Sequence, residues 1–196
     1  MGTMEEFDCA KNMEAIFLYS VAPVLQKVKP AVLMRLQPHR LQHWKTRQHS
    51  LRKATGLQTL EIKTQYGTVL LLIYDEAALC ERLREPRALK LLAQYNYPDQ
   101  FGLIALLEHL KKRFMFGYIF PHEIGVFLGY ATADVESFIN NNGKNCLYCR
   151  HWKVYHNIEK AQDIFNRIDA AQNYAIDILD GTTPIHIAAK VLKAAM

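Results

Sequence analysis

The sequence of 196 residues lacks a long apolar run, since the longest uninterrupted one, Val69 to Tyr74, has six residues. A membrane-spanning helix needs about 18 or more, so the composition excludes a spanning segment. The first 14 residues carry four acids and one lysine rather than a basic region followed by an apolar stretch. We therefore expect no secretory signal and a cytoplasmic protein.

Cysteine is scarce, with four residues in the chain, too few for the disulfide framework of a small secreted domain. The glycine-rich motifs GxGxxG and GxxxxGK[ST] are missing as well, which disfavours the common nucleotide enzymes. The CxxC of Cys146 and Cys149, followed by His151, is the candidate metal site, because thiolates and imidazoles bind zinc and softer metals. No second CxxC accompanies it, so ordinary half-buried cysteines are the alternative to a metal-containing cofactor.

The spacing of apolar residues predicts mostly helices with a few short strands. Predicted helices cover residues 8–28, 38–56, 76–95 with a break at Pro86, 99–116, 158–179 and 184–195, with shorter ones near 121–129 and 132–142. Predicted strands cover residues 31–36, a hairpin over 57–75 and a strand over 146–155. The hairpin is the clearest of these, because an alternating strand precedes a continuous apolar one.

These elements predict an α+β fold: one mixed domain over residues 1–196, with a small, mainly antiparallel sheet and helices packed on one face. The hairpin should be central, joined by the 31–36 strand and by the 146–155 strand. The C-terminal helix has an apolar stripe that includes Ile185, Ala188 and Leu192. We expect that helix to dock on the domain, or on a second copy to form a homodimer.

The charge is unevenly distributed, because residues 15–60 contain eight basic residues and no acidic one. Much of this excess lies in the predicted helix 38–53, which could lie along a phosphate backbone. Many proteins carry such a solvated basic helix, and no nucleic-acid-binding motif surrounds this one. We therefore expect no nucleic-acid role, although it stays a second alternative function.

His122 and Glu123 lie at a predicted helix start, after Pro121. Backbone N–H groups there point outward and could hold an anionic ligand. His122 is also the candidate acid or base of an enzyme, with Glu123 or Lys153 nearby. The alternative is that both residues are ordinary polar groups of a helix start.

A longer pattern contains this pair: FPHEIGVFLGY, then DVESFI, GKN and WKVY. It resembles the signature of an uncharacterised bacterial family, found largely in anaerobic Gram-positive bacteria and known as a domain of unknown function. The resemblance covers about 13–168, so that 169–196 would be a C-terminal helical extension, and it brings no activity with it. The matching positions are Pro121, His122, Glu123, Gly125, Gly129, Tyr130, Asp134, Gly143, Trp152, Lys153 and Tyr155.

Glycines that allow close approach, aromatic residues and a few polar groups are what a ligand pocket needs, although a tight core needs them too. On a continuous strand, His151, Lys153 and Tyr155 would share one face. We therefore predict a binding protein for a small ligand, a metal-containing cofactor or a protein partner, and an enzyme is the alternative. The predicted ligand-binding residues are His122, Glu123, Tyr130, Trp152, Lys153 and Tyr155.

Overall fold

The computed structural model describes residues 13–64, 66–98, 102–117, 119–179 and 183–195. The helices are α1 (Met13–Leu25), α2 (Pro38–Thr55), α3 (Glu76–Leu83), α4 (Pro86–Ala93), α5 (Leu103–Phe116), α6 (Ile124–Phe127), α7 (Thr132–Asn140), α8 (Ile158–Ile178) and α9 (Ile185–Ala194). The strands are β1 (Ala31–Leu36), β2 (Gln58–Lys63), β3 (Val69–Tyr74), β4 (Tyr148–Cys149) and β5 (Lys153–Val154). The predicted helical residues 8–12 and 99–101 lie outside the described part.

Local sequence signals set several helix boundaries where the sequence predicted them. Pro38 occupies the first turn of α2, and Gly56 closes that helix in the left-handed conformation at φ 70°. The side chain of Asp75 caps α3 by accepting a hydrogen bond from the N–H of Ala78 at 2.9 Å. Pro86 separates α3 from α4, as predicted.

The main sheet has three antiparallel strands in the order β1-β3-β2, so the predicted hairpin is joined by the 31–36 strand. Ala31 pairs with Tyr74, and Gln58 pairs with the same residue from the other side. The central strand β3 is buried over nearly its whole length. This explains its continuous apolar sequence, since a strand covered on both faces cannot alternate.

Helices cover both faces of this sheet, so the prediction that they pack on one face is wrong. Leu71 and Ile73 point into a core shared with α1, α2, α8 and α9. Leu70 and Leu72 point the opposite way, into a core shared with α3 to α7. Successive side chains of β3 point to opposite faces of the sheet, so the strand contributes to two hydrophobic cores, one on each face.

The predicted continuous strand over 146–155 is also wrong. The segment is a tight hairpin in which Tyr148 pairs with Val154 and Cys149 pairs with Lys153. It forms a separate two-stranded sheet rather than a fourth strand of the main sheet. Both short strands pack on α8 in a third hydrophobic cluster, so the aromatic residues that suggested a strand are there for packing.

The C-terminal helix α9 docks on the domain, as predicted. Ala188, Ala189 and Leu192 are buried in the core that also contains α1 and α2. Ile187 and Val191 remain more exposed, and a homodimer through this helix stays a prediction. Over the described residues, no helix is both long and apolar enough to span a bilayer.

Candidate functional site

A pocket of about 650 Å³ opens between α1, the start of β1, the 120–138 segment, the β4–β5 hairpin and α8. Its volume lies in the usual range for small-molecule sites. Its lining combines aromatic rings with basic groups. The polar and aromatic lining residues are Tyr19, Ser20, Lys29, Phe120, His122, Tyr130, Asp134, Phe138, Cys149, Arg150, His151, Trp152, Lys153 and Gln172.

Two glycines of the signature bring the pocket walls together. Gly129 has φ +78°, and a Cβ atom there would lie 2.4 Å from Cδ of Pro30. A Cβ atom on Gly125 would lie 2.8 Å from Val135 and 3.1 Å from the ring of Tyr130. Only glycine allows these approaches, so the two positions fix Tyr130 beside the segment that precedes β1.

Stacked aromatic rings form one wall of the pocket. Tyr130 and Trp152 stack with ring centroids 4.9 Å apart and an angle of 22° between their planes. Trp152 also meets Phe165 of α8 edge to face at 4.3 Å. Trp152 is therefore held between Tyr130 and Phe165.

Asp134 holds the hairpin against α7. Its carboxylate accepts one hydrogen bond from Nε1 of Trp152 at 3.0 Å and another from the backbone N–H of Tyr155 at 2.9 Å. The residue is 3% exposed. Both oxygens of this acid are thus engaged in positioning the aromatic wall, which leaves it little capacity to neutralise a cation in the pocket.

Two lysines bring positive charge to the pocket. Nζ of Lys153 donates to the backbone oxygen of Gly143 at 2.7 Å, and Nζ of Lys29 lies 5.0 Å from the ring centroid of Tyr130. Within the described residues, neither ammonium forms an ion pair with a carboxylate. Burial lowers the pKa of Lys29 to about 8.

The other two basic groups of the hairpin already have a partner. Arg150 forms an ion pair with Asp169 of α8, and it also donates to Asn166 at 3.1 Å. Nε2 of His151 lies 2.7 Å from the second oxygen of Asp169. These contacts fasten the hairpin to α8. Of the lysine and arginine side chains that line the pocket, Lys29 and Lys153 have no carboxylate partner within the described ranges.

His122 lies at the pocket between two aromatic rings. Its ring centroid is 5.4 Å from that of Phe120 and 4.9 Å from that of Phe138. Burial lowers the pKa of His122, and the charge of Glu123 opposes this shift. The imidazole is therefore mainly neutral at pH 7 and can accept a proton.

Glu123 faces away from the pocket, although it is the next residue. Its carboxylate is 1% exposed and lies 2.8 Å from Nε of Arg113. The same oxygen accepts the hydroxyl hydrogen of Tyr97 at 3.3 Å. These three residues form a buried ion-pair cluster. The helix that follows Glu123, α6, has only four residues.

The predicted metal ligands do not form a ligand set. Among the residues that the structure describes, no group of three His, Cys, Asp or Glu side chains could hold a metal ion. Cys149 and His151 line the pocket, whereas Cys146 does not. The tight turn between β4 and β5 also removes the single face that His151, Lys153 and Tyr155 were expected to share.

Tyr155 does not line the pocket either. Its hydroxyl is buried and has no hydrogen-bond partner among the described residues. Its backbone N–H, rather than its ring, makes the contact with Asp134. The residue supports the hairpin from outside the pocket.

The basic helix α2 contributes no residue to the pocket. Its apolar stripe packs inward, with Trp44 and Leu51 fully buried. On the outer side, Arg47 forms an ion pair with Glu14, and Arg52 donates to Gln58 at 2.7 Å. The expectation that this helix has no nucleic-acid role stays a prediction.

The sequence patterns thus predicted His122, Tyr130, Trp152 and Lys153 as pocket residues, and missed Lys29. No motif surrounds that lysine, and only the packing of Pro30 on Gly129 brings it to Tyr130. Its neighbours across the pocket are about a hundred positions later in the chain. Sequence spacing alone could not have paired them.

The fold and the pocket define an α+β domain with a cavity lined by aromatic and basic side chains. A family model described as a protein of unknown function, DUF3793, matches residues 17–188, so the chain belongs to this family. The match extends through α8 and into α9, beyond the expected limit near residue 168. No curated protein and no solved structure matches the chain.

Proposed function

We propose that the protein is a cytoplasmic binding protein for a small anionic molecule with a planar apolar part. One observation carries the proposal: Lys29 and Lys153, which have no carboxylate partner in the part of the chain that the structure describes, line a pocket that has an aromatic wall. The planar part would lie against Tyr130 and Trp152. The anionic group would take the place of the missing carboxylate.

The balance of charge in the pocket supports an anion rather than a cation. Asp134 is the acid in the lining, and its oxygens are occupied by Trp152 and Tyr155. A charge-assisted hydrogen bond in a half-buried site contributes about 1.5–3 kcal/mol. Lys29 gains most from an anionic ligand, because its half-buried ammonium lies over the Tyr130 ring and has no carboxylate partner among the described residues.

Fluorescence can test this proposal, because the chain has two tryptophans and one of them lines the pocket. A Trp44→Phe variant leaves Trp152 as the single tryptophan. Titration with benzoate should change its emission saturably in the millimolar range. Benzamide, which has nearly the same shape but no charge, is the matched control and should bind at least about tenfold more weakly.

Equal responses to benzoate and benzamide would contradict the anionic part of the proposal. No response to either compound, together with no shift in melting temperature of the unmodified protein, would contradict the pocket as a binding site for aromatic anions. Phosphate and acetate as further titrants would show whether the planar part contributes.

His122 favours a second candidate function, an enzyme that uses this imidazole as an acid or base. The observation behind it is a mainly neutral imidazole held at the pocket between two aromatic rings. Deuterium exchange into the methyl group of pyruvate, followed by NMR, tests proton transfer next to a carbonyl. His122→Gln should abolish the exchange and leave benzoate binding in place, and exchange no faster than in buffer would contradict this candidate.

A further inference from the structure

The backbone around Lys29 is fixed on both sides. The N–H groups of Val28 and Lys29 both donate to the backbone oxygen of Pro23, at 2.8 and 3.1 Å. On the other side, Pro30 packs on Gly129, and its oxygen accepts the N–H of Asp75 at 3.0 Å. The lysine is therefore presented to the pocket by a preorganised turn.

The amine end of this side chain lies over an aromatic ring rather than beside an acid. Nζ is 5.0 Å from the centroid of Tyr130, and within the described residues it makes no hydrogen bond and no ion pair. Lys29 is half-buried at the pocket, and a partly desolvated ammonium without a carboxylate partner costs free energy. The chain has 13 other lysines. One of them, Lys153, also lines the pocket, but its ammonium donates a hydrogen bond to a backbone carbonyl.

We propose that Lys29 forms a reversible imine with the carbonyl carbon of the ligand, which makes the ligand class an aldehyde or ketone that carries an anionic group. This inference rests on the proposed function, because it concerns the same pocket. It adds a covalent step and a functional group that simple anion binding does not require.

The chemistry needs no further reactant. The lone pair of Nζ attacks the carbonyl carbon, the C=O π electrons move to oxygen, and a proton passes from nitrogen to that oxygen to give a carbinolamine. Loss of water then forms the C=N bond. His122, which lines the same pocket, can carry the proton between these steps.

Attack requires a neutral amine, and the surroundings of Lys29 favour that form. With a pKa of about 8, about a tenth of this amine is neutral at pH 7. Other titratable or charged groups lining the pocket come from α1, the 120–130 segment, α7 and the hairpin. They are Tyr19, His122, Tyr130, Asp134, Cys149, Arg150, His151 and Lys153.

The test uses 4-formylbenzoate as the probe, because it adds an aldehyde to the benzoate of the binding experiment. The full-length protein is incubated with the probe and sodium cyanoborohydride at pH 7, which converts an imine into a stable amine. Intact mass and peptide mapping then count and locate the adducts. Lys29 should react at least about tenfold faster than the exposed Lys45 and Lys160, and excess benzoate should protect it.

Lys29→Arg is the matched variant, because it keeps a cation and removes the nucleophile. It should lose the selective adduct. Peptide mapping of the unmodified protein locates the adduct independently, so the test does not depend on the folding of the variant.

The outcomes separate this inference from the proposed function. Benzoate binding combined with labelling of Lys29 at the same rate as Lys45 would overturn the imine and leave the anion pocket in place. Absence of both benzoate binding and selective labelling would overturn the two together. A selective adduct at another residue would also overturn the assignment to Lys29.

Discussion

His122 and Glu123 are neighbours in the chain, yet they belong to two polar regions that differ in one respect. In the buried ion-pair cluster, Glu123 meets Arg113 and Tyr97, and every charge has a partner. In the pocket, Lys29 and Lys153 have no carboxylate among the described residues. The charges of one region are paired within the described residues, and the other region is the proposed anion site.

This difference separates structural polar groups from binding groups better than residue type does. A buried carboxylate that already receives an arginine and a hydroxyl has little capacity left for a ligand. A desolvated ammonium over an aromatic ring gains free energy when an anion arrives. Removing the Glu123 carboxylate should therefore lower the stability, whereas removing the Lys29 charge should raise it.

The largest loss of stability should come from the buried ion-pair cluster. Glu123→Ala leaves Arg113 without its buried partner, and we expect the free energy of unfolding to fall by roughly 2 to 4 kcal/mol in urea denaturation. The matched control is Glu136→Ala, which removes a more exposed ion pair with Arg87. That control should cost about 1 kcal/mol or less, and equal losses in the two variants would contradict the structural role of Glu123.

The second effect concerns Asp134, which connects the hairpin to α7. Asp134→Ala removes the acceptor of the Trp152 indole and of the Tyr155 N–H, so we expect a loss of roughly 2 to 3 kcal/mol. In a Trp44→Phe background, the emission of Trp152 should shift to longer wavelength as the hairpin loosens. Asp163→Ala on the exposed side of α8 is the control and should change neither quantity.

Sequence patterns predict some elements of this fold and not others. The periodic pattern of β3 and the Pro38 and Gly56 boundaries predicted the main sheet and helix α2, because local chemistry determines both. The 146–155 segment was mistaken for one strand, because its aromatic residues pack on α8 rather than pair with the sheet. A three-residue turn within an aromatic run leaves no clear signal in composition.

The same limit applies to the site. The signature predicted Tyr130, Trp152 and Lys153 in one place, but it did not distinguish His122 in the pocket from Glu123 in the core. That distinction depends on tertiary contacts: Glu123 meets Arg113 of α5, whereas His122 lies between Phe120 and Phe138. Lys29 enters through tertiary packing alone.

The third prediction is a gain of stability, rather than a loss, when the charge of Lys29 is removed. Lys29 has a pKa of about 8 in the folded protein and about 10.5 when unfolded. Between these values the unfolded chain binds a proton that the folded chain lacks, so stability should rise with pH over this interval. Lys29→Met should therefore raise the free energy of unfolding at pH 7 by roughly 1 to 3 kcal/mol.

This gain should shrink as the pH increases from about 8 toward 10.5, because the folded protein then already carries a neutral amine. Urea denaturation at pH 7 and at pH 9.5 measures the change, and Lys45→Met on the exposed side of α2 is the control. A loss of stability at pH 7, or a gain that does not depend on pH, would contradict an unpaired ammonium at this position.

The smallest effect on stability should come from a change at Lys153. This change tests most directly whether the pocket binds an anion. Lys153→Gln removes a charge but keeps a donor for the Gly143 oxygen, so we expect a loss below about 1 kcal/mol. Benzoate binding should nevertheless weaken by about tenfold, because one charge-assisted contact to the ligand is lost. Lys160→Gln, at an exposed position of the same charge, should leave both quantities unchanged. The contrary result is a Lys153→Gln variant that loses as much stability as Asp134→Ala and binds benzoate unchanged. Lys153 would then be a structural residue, like Glu123, and the pocket would have one binding cation instead of two.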